Sequence, residues 1–117
     1  MSKTFTDPED MKKAIYSFAD NLRDAMGIGQ QVSLTSTYTK IENVVVAGMG
    51  GSAIGGDVNR MLLRDELKVP IYVSRNYHVP AWANARTLVI ASSYSGGTEE
   101  TLSALADALT KGCQICG

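Results

Sequence analysis

Histidine occurs once in this chain, at position 78, and cysteine only twice, at 113 and 116. A structural zinc site takes four closely spaced ligands. Cys113-Gln114-Ile115-Cys116 with one distant His78 falls short of that set. A thioredoxin-like C-x-x-C opens a helix, whereas this one follows the helix-ending Lys111-Gly112 and reads as the start of a strand. Residues three apart on a strand face opposite sides with α-carbons about 10 Å apart, too far for a disulfide. Both thiols are therefore expected to be buried and reduced. Lone His78 has no partner acid or metal ligand in view and is expected to play a surface or structural role. Long apolar runs are scarce as well. The longest, Val44 to Ala47, cannot cross a bilayer, and Met1 to Glu9 lacks the apolar core of a secretory signal. An excess of one charge is also missing: 11 Lys and Arg against 12 Asp and Glu leave a net charge of -1. Nucleic acid and anionic membranes are thus not expected as partners. The expectation is a cytoplasmic protein, with 117 residues sized for one small domain.

What is present is periodic. Asp7 suits a helix N-cap and Pro8 the first helical position, with Glu9 and Asp10 favoured at the positive helix start. Met11, Ile15, Phe18, Leu22 and Met26 then form one apolar stripe, which predicts a single helix ended by Gly27 and Gly29. Residues 30–40 are polar and read as a connecting segment. From Ile41 the pattern becomes strand, turn, helix, and repeats. Ile41 to Ala47 is a β-branched run buried on both faces. The helix after it is expected to turn Ile54, Val58, Met61 and Leu62 inward. Pro70 to Ser74 is a second strand, and Val79-Pro80 with Trp82 a loop. Thr87 to Ala91 is a third strand. The next helix is expected to bury Leu102, Leu105, Ala106 and Leu109 and to close at Gly112, and a fourth strand starts at Cys113.

This alternation predicts an α/β fold, a three-layer parallel sheet of flavodoxin-like type that stops after its fourth strand and is preceded by an N-terminal helix. Residues 1–40 form the helix and connecting segment, and residues 41–117 the α/β unit. With strand order 2-1-3-4, the turns after strands one and three flank the switch point where such sheets take ligands.

Those two turns carry the chemistry. Gly48-Met49-Gly50-Gly51-Ser52-Ala53-Ile54-Gly55-Gly56-Asp57 lets backbone approach a ligand closely and leads into a helix start, with Ser52 as a hydroxyl there. Ser52 would equally serve as an ordinary N-cap. Gly48, Gly50 and Ala53 also match G-x-G-x-x-A, but strand two ends in Ser74-Arg75-Asn76, without the carboxylate a dinucleotide ribose needs. Only Arg75 could meet a 2′-phosphate. In the second turn Ser93, Ser95 and Thr98 place three hydroxyls within six residues, around Gly96-Gly97 and just before a helix. A tetrahedral phosphate needs several converging donors, which hydroxyls and backbone N–H groups supply without a basic residue. A flexible Ser/Gly connection with a capping hydroxyl is the plainer alternative. Neither Ser52 nor Ser95 sits in G-x-S-x-G, so a serine hydrolase is not indicated. Glu99 and Glu100 are expected to be helix-start charges.

Val44 to Asp57 and Ser92 to Thr101, at this separation, resemble the bifunctional phosphoglucose/phosphomannose isomerases of the sugar-isomerase (SIS) domain superfamily. The resemblance implies an aldose–ketose isomerase interconverting glucose 6-phosphate or mannose 6-phosphate with fructose 6-phosphate, without metal or organic cofactor, in a two-domain homodimer. It implies a hexose 6-phosphate held through Gly51, Ser52, Ser93, Ser95 and Thr98. The family's catalytic groups would lie outside this chain, which reads as an N-terminal fragment. Gly97 stands where the family usually has Asn, which loosens the turn. A non-catalytic phosphosugar sensor and, behind it, an NADP-dependent oxidoreductase are the alternatives.

Overall fold

The computed structural model describes residues 6–117. Two compact units divide the chain, one up to Thr37 and one from Tyr38 onward. In the first unit the Asp7 carboxylate accepts the N–H groups of Met11 at 2.8 Å and Lys12 at 2.9 Å, satisfying two orphan donors of a helix start. The predicted single helix is two helices, α1 (Met11–Tyr16) and α2 (Phe18–Gln31). Between them Ser17 lies at φ -84, ψ 0, and its hydroxyl donates to the Ala14 carbonyl at 3.2 Å. Such a side chain competes with the helical ladder for backbone acceptors, and the helix breaks there. Gly27 and Gly29 do not end α2, which runs on to Gln31. A glycine inside a helix costs only about 1 kcal/mol.

The second unit is the α/β layer structure: β1 (Asn43–Ala47), α3 (Gly50–Leu62), β2 (Ile71–Ser74), β3 (Thr87–Ala91), α4 (Glu99–Thr110) and β4 (Gln114–Cys116). The strand order is β2-β1-β3-β4, with every pair parallel. Central β1 sets Val45 opposite Tyr72 on one side and Val89 on the other. It is buried from Val44 to Ala47, as a strand covered on both faces must be.

The two faces are covered differently. Val45, Ala47 and Val89 pack with Ala104 and Ala108 of α4, and Val79 and Ala83 of the β2–β3 connection complete that layer. Alternation along the strand sends Val46 and Val73 to the opposite face, where Gly56 of α3 lies against both. The inward sides of the helices differ from expectation. In α3 the buried residues are Ala53 and Gly56, while Ile54, Val58, Met61 and Leu62 are 48–75% exposed. In α4 the buried residues are Thr101, Ala104 and Ala108. Leu105 is half-buried, but Leu102, Ala106 and Leu109 face out. Both corrections have one cause: the helices approach the valine-rich sheet so closely that small residues occupy the contact and large ones are displaced outward.

The β2–β3 connection is held from α4. The Val79 N–H donates to the Asp107 carboxylate at 3.0 Å, and Lys111 Nζ donates to the Val79 carbonyl at 3.3 Å and to Asp107 at 3.1 Å. At the other edge the Tyr38 hydroxyl donates to the Ile115 carbonyl at 3.0 Å, and Gln114 exchanges hydrogen bonds with the Thr39 backbone. Both cysteines are free, but only Cys113 is buried, and burial pushes its thiol pKa up. Cys116 is half-buried because its neighbour in register is Ile90, on the α3 side, and α3 lies over β1 and β2 alone. His78 is a surface residue, its Nδ1 3.9 Å from Asp107.

Candidate functional site

The carboxyl ends of β1 and β3 are adjacent, and the chain leaves them in opposite directions, to β2 and to β4. The first turn is tighter than the glycine count suggests. It consists of Gly48 and Met49, and the helix begins at Gly50, so that Met49 and not Ser52 is the N-cap residue. Gly50 has φ +52, a conformation that suits glycine. Ser52 sits in the first turn of α3, its N–H donating to the Met49 carbonyl at 3.1 Å. No side chain caps α3, and beside the Gly51 α-carbon there is open space. The Ser52 carbonyl accepts a hydrogen bond from Ser92 Oγ at 3.3 Å, which ties the first turn to the second.

The second turn gathers its hydroxyls at one point. Thr98 Oγ1 is 2.9 Å from Ser93 Oγ and 3.3 Å from Ser95 Oγ. Two backbone bonds hold the serines in place. The Gly96 N–H donates to Ser93 Oγ at 3.1 Å and the Gly97 N–H to Ser95 Oγ at 3.2 Å. Each serine oxygen thus accepts a backbone N–H and also shares a hydrogen bond with Thr98 Oγ1. Gly96 has φ +71, which the turn requires. Gly97, by contrast, has open space around its α-carbon. Thr98 is the N-cap residue of α4 but makes no side-chain cap bond, and Glu99 and Glu100 occupy the first helical turn. The structure therefore brings Ser93, Ser95 and Thr98 together and links their turn to Ser52. Ser92, which makes that link, was not singled out by the sequence pattern, nor was Thr101.

Nearby groups set the electrostatics. The Tyr77 phenol pKa is pushed up, first by the carboxylate of Glu100 and then by that of Glu99. Arg75, at the end of β2, is held in an ion pair by Asp57 of α3, and Arg60 lies 3.7 Å from the same carboxylate. The Ser93–Thr98 turn itself contains no basic residue. A recess of about 510 Å³ lies at the far end of α3, lined by Arg60, Arg64, Leu67 and Ile71 among others. It is remote from the turns, and its cations suit the negative end of a helix. The donors converge at the sheet edge, and the candidate site is placed there. Among the described residues no group of His, Cys, Asp and Glu could hold a metal ion, and no helix is long and apolar enough to cross a membrane.

Fold and turns together define a parallel α/β domain with two helix starts and a cluster of hydroxyls at its switch point. Over most of its length this chain is a relative of the bifunctional phosphoglucose/phosphomannose isomerases. It is 46% identical over 105 residues to the enzyme of that name from Caldicellulosiruptor bescii, covering 90% of this chain and 31% of that protein. It is 44% identical over 81 residues to the one from Thermoplasma acidophilum, covering 69% of this chain and 24% of that protein. A glutamine–fructose-6-phosphate aminotransferase (isomerizing) from Pyrococcus horikoshii is 27% identical over the whole chain, which spans 19% of it. The chain thus spans about a third or less of the length of these relatives. No protein-family model matches it, and no solved structure matches it significantly.

Proposed function

We propose that this chain is the phosphosugar-binding part of an aldose–ketose isomerase that interconverts glucose 6-phosphate or mannose 6-phosphate with fructose 6-phosphate. The observation that carries this reading is the cluster of Ser93, Ser95 and Thr98. Its three hydroxyls meet at one point beside an uncapped helix start, bonded to one another and to the Gly96 and Gly97 N–H groups, and can be redirected to an anion placed over them. The phosphate would sit over that cluster and the first turn of α3, with Gly51 and Ser52 completing the donor set. Charge-assisted hydrogen bonds of this kind are about twice as strong as neutral ones.

Isomerisation opens the sugar ring and moves a proton between C2 and C1 through an enediol. The phosphate on C6 takes no part in bond making. Gripping it uses binding energy remote from the reacting carbons to orient them against a base. No residue of this chain is assigned as that base. Glu99 and Glu100 stand at the start of α4, at the phosphate end of the substrate. In this reading residues 41–117 are part of a sugar-isomerase domain preceded by the helical segment 1–40, and the parent is a cytoplasmic homodimer. Arg75, the residue that could have met a 2′-phosphate, is engaged by Asp57, and no observation favours the NADP alternative or a sensor.

Calorimetric titration of the chain with fructose 6-phosphate tests the reading. Binding is expected. Replacing Ser95 by Ala or Thr98 by Val removes a hydrogen bond to a charged group, about 1.5–3 kcal/mol, roughly tenfold or more in affinity. A double variant that binds like the wild type would sink the assignment.

A further inference from the structure

We propose that Thr101 is a further binding residue of this anion site, donating its hydroxyl to a phosphoryl oxygen directly or through one water. Thr101 is 4% exposed, and its Oγ1 is buried with no hydrogen-bond partner. Buried polar groups are nearly always paired, so one that is not calls for an explanation. The same helix shows what a threonine ordinarily does: Thr110 Oγ1 donates to the carbonyl of Ala106, four residues earlier, at 3.1 Å. For Thr101 the residue four earlier is Gly97, which belongs to the Ser93–Thr98 turn and not to the helix. The usual acceptor is therefore out of line, and the hydroxyl is left over.

Its position gives that hydroxyl a direction. Thr101 is in the first turn of α4, on the side facing the sheet, and in a helix every Cα–Cβ bond leans toward the N-terminus. The hydroxyl group is carried toward the end of the helix where Ser93, Ser95 and Thr98 meet. That helix start has no side-chain cap, and its first N–H groups point the same way. Thr101 would thus add a buried donor to a cluster in which Ser93 and Thr98 are half-buried and Ser95 is exposed. An anion bound among them would remove the cost of the buried unpaired group, and that gain would appear as affinity.

This inference rests on the phosphate-binding reading, and one set of measurements separates the two. Binding of inorganic phosphate and of fructose 6-phosphate to the purified chain is measured for wild type, Thr101→Val and Thr101→Ser, each with a thermal melt. The valine variant keeps the shape and removes the donor. It should bind both ligands at least tenfold more weakly while melting at or above the wild-type temperature, because an unpaired buried hydroxyl has been removed. The serine variant should retain most of the affinity. In the wild type, phosphate titration followed by NMR should shift the Thr101 methyl resonance in step with the Ser95 amide, a readout that depends on no variant. Wild-type affinity in Thr101→Val, or a Thr101 methyl that stays still while Ser95 moves, would overturn the role of Thr101 alone. A wild type that binds neither ligand would overturn the phosphate reading and this inference together.

Discussion

Gly48 and Ser92 face each other across the switch point so closely that a β-carbon on Gly48 would stand 2.9 Å from the Ser92 carbonyl oxygen. Ser92 N–H donates to the Ala47 carbonyl at 2.8 Å, and Gly48 N–H to the Ser74 carbonyl at 3.1 Å. The turn is therefore pinned on both sides and cannot drift away from an added methyl. Gly48→Ala should destabilise the chain by about 1–3 kcal/mol, the usual effect of overpacking, and weaken phosphosugar binding by separating the two turns. A urea melt with a wild-type midpoint would contradict this.

Adjacent glycines in α3 should respond with opposite signs. Gly55 is exposed with open space around it, so Gly55→Ala should gain the helix-propensity difference, about 0.5–1 kcal/mol. A β-carbon on Gly56 would lie 3.0–3.2 Å from the side chains of Val46 and Val73. There the steric cost exceeds the propensity gain, and Gly56→Ala should lower stability by about 1 kcal/mol or more. The pair is checked by urea denaturation under identical conditions, and shifts of the same sign would refute the packing of α3 described above.

Asp107 should confer an acid-dependent part of the stability. Its pKa is lowered from 3.8, first by the hydrogen bond from Lys111, against a smaller opposing effect of desolvation, and further by the Val79 N–H. A carboxyl group depressed on folding contributes stability that is present above its unfolded value and lost as pH falls through its folded value. Asp107→Asn should therefore melt below wild type at pH 7, with the difference shrinking as the pH drops below about 4. A gap that stays constant down to pH 2 would show that the ionised carboxylate is not what holds the β2–β3 connection.

The chain by itself should not turn over fructose 6-phosphate. Isomerisation needs a base within hydrogen-bond reach of the C1 and C2 protons, and in the proposed binding mode the carboxylates of the α4 start, Glu99 and Glu100, would be at the phosphate end. Positioning without the base forgoes the general acid–base contribution, about 10²–10⁴-fold. A coupled assay for glucose 6-phosphate, on chain free of host isomerase, checks this. Activity that co-purifies with the chain and disappears in Glu99→Gln or Glu100→Gln would place the base in these residues after all.

What the sequence by itself determined was periodic or punctuated. A β-branched run such as Val44 to Ala47 has few ways to be satisfied other than as a central strand. Alternating strands and helices lead to parallel crossovers, and the hydroxyls of Ser93, Ser95 and Thr98 are near enough in the chain to meet wherever the turn goes. Tertiary structure decided the phase of the helices and the ends of the turns. Apolar period alone turns Ile54 and Leu102 inward, but the distance between helix and sheet is set by the valine methyl groups beneath. At that distance Ala53, Gly56, Ala104 and Ala108 fit and leucine does not. Ser52 became a first-turn residue because Gly50 can adopt a positive φ and start the helix early. The contact of Ser92 with Ser52 joins residues forty apart, and Thr101 lost its usual acceptor because Gly97 was drawn into a turn. The first depends on the pairing of β1 with β3, which sets their carboxyl ends side by side, and the second on where α4 begins.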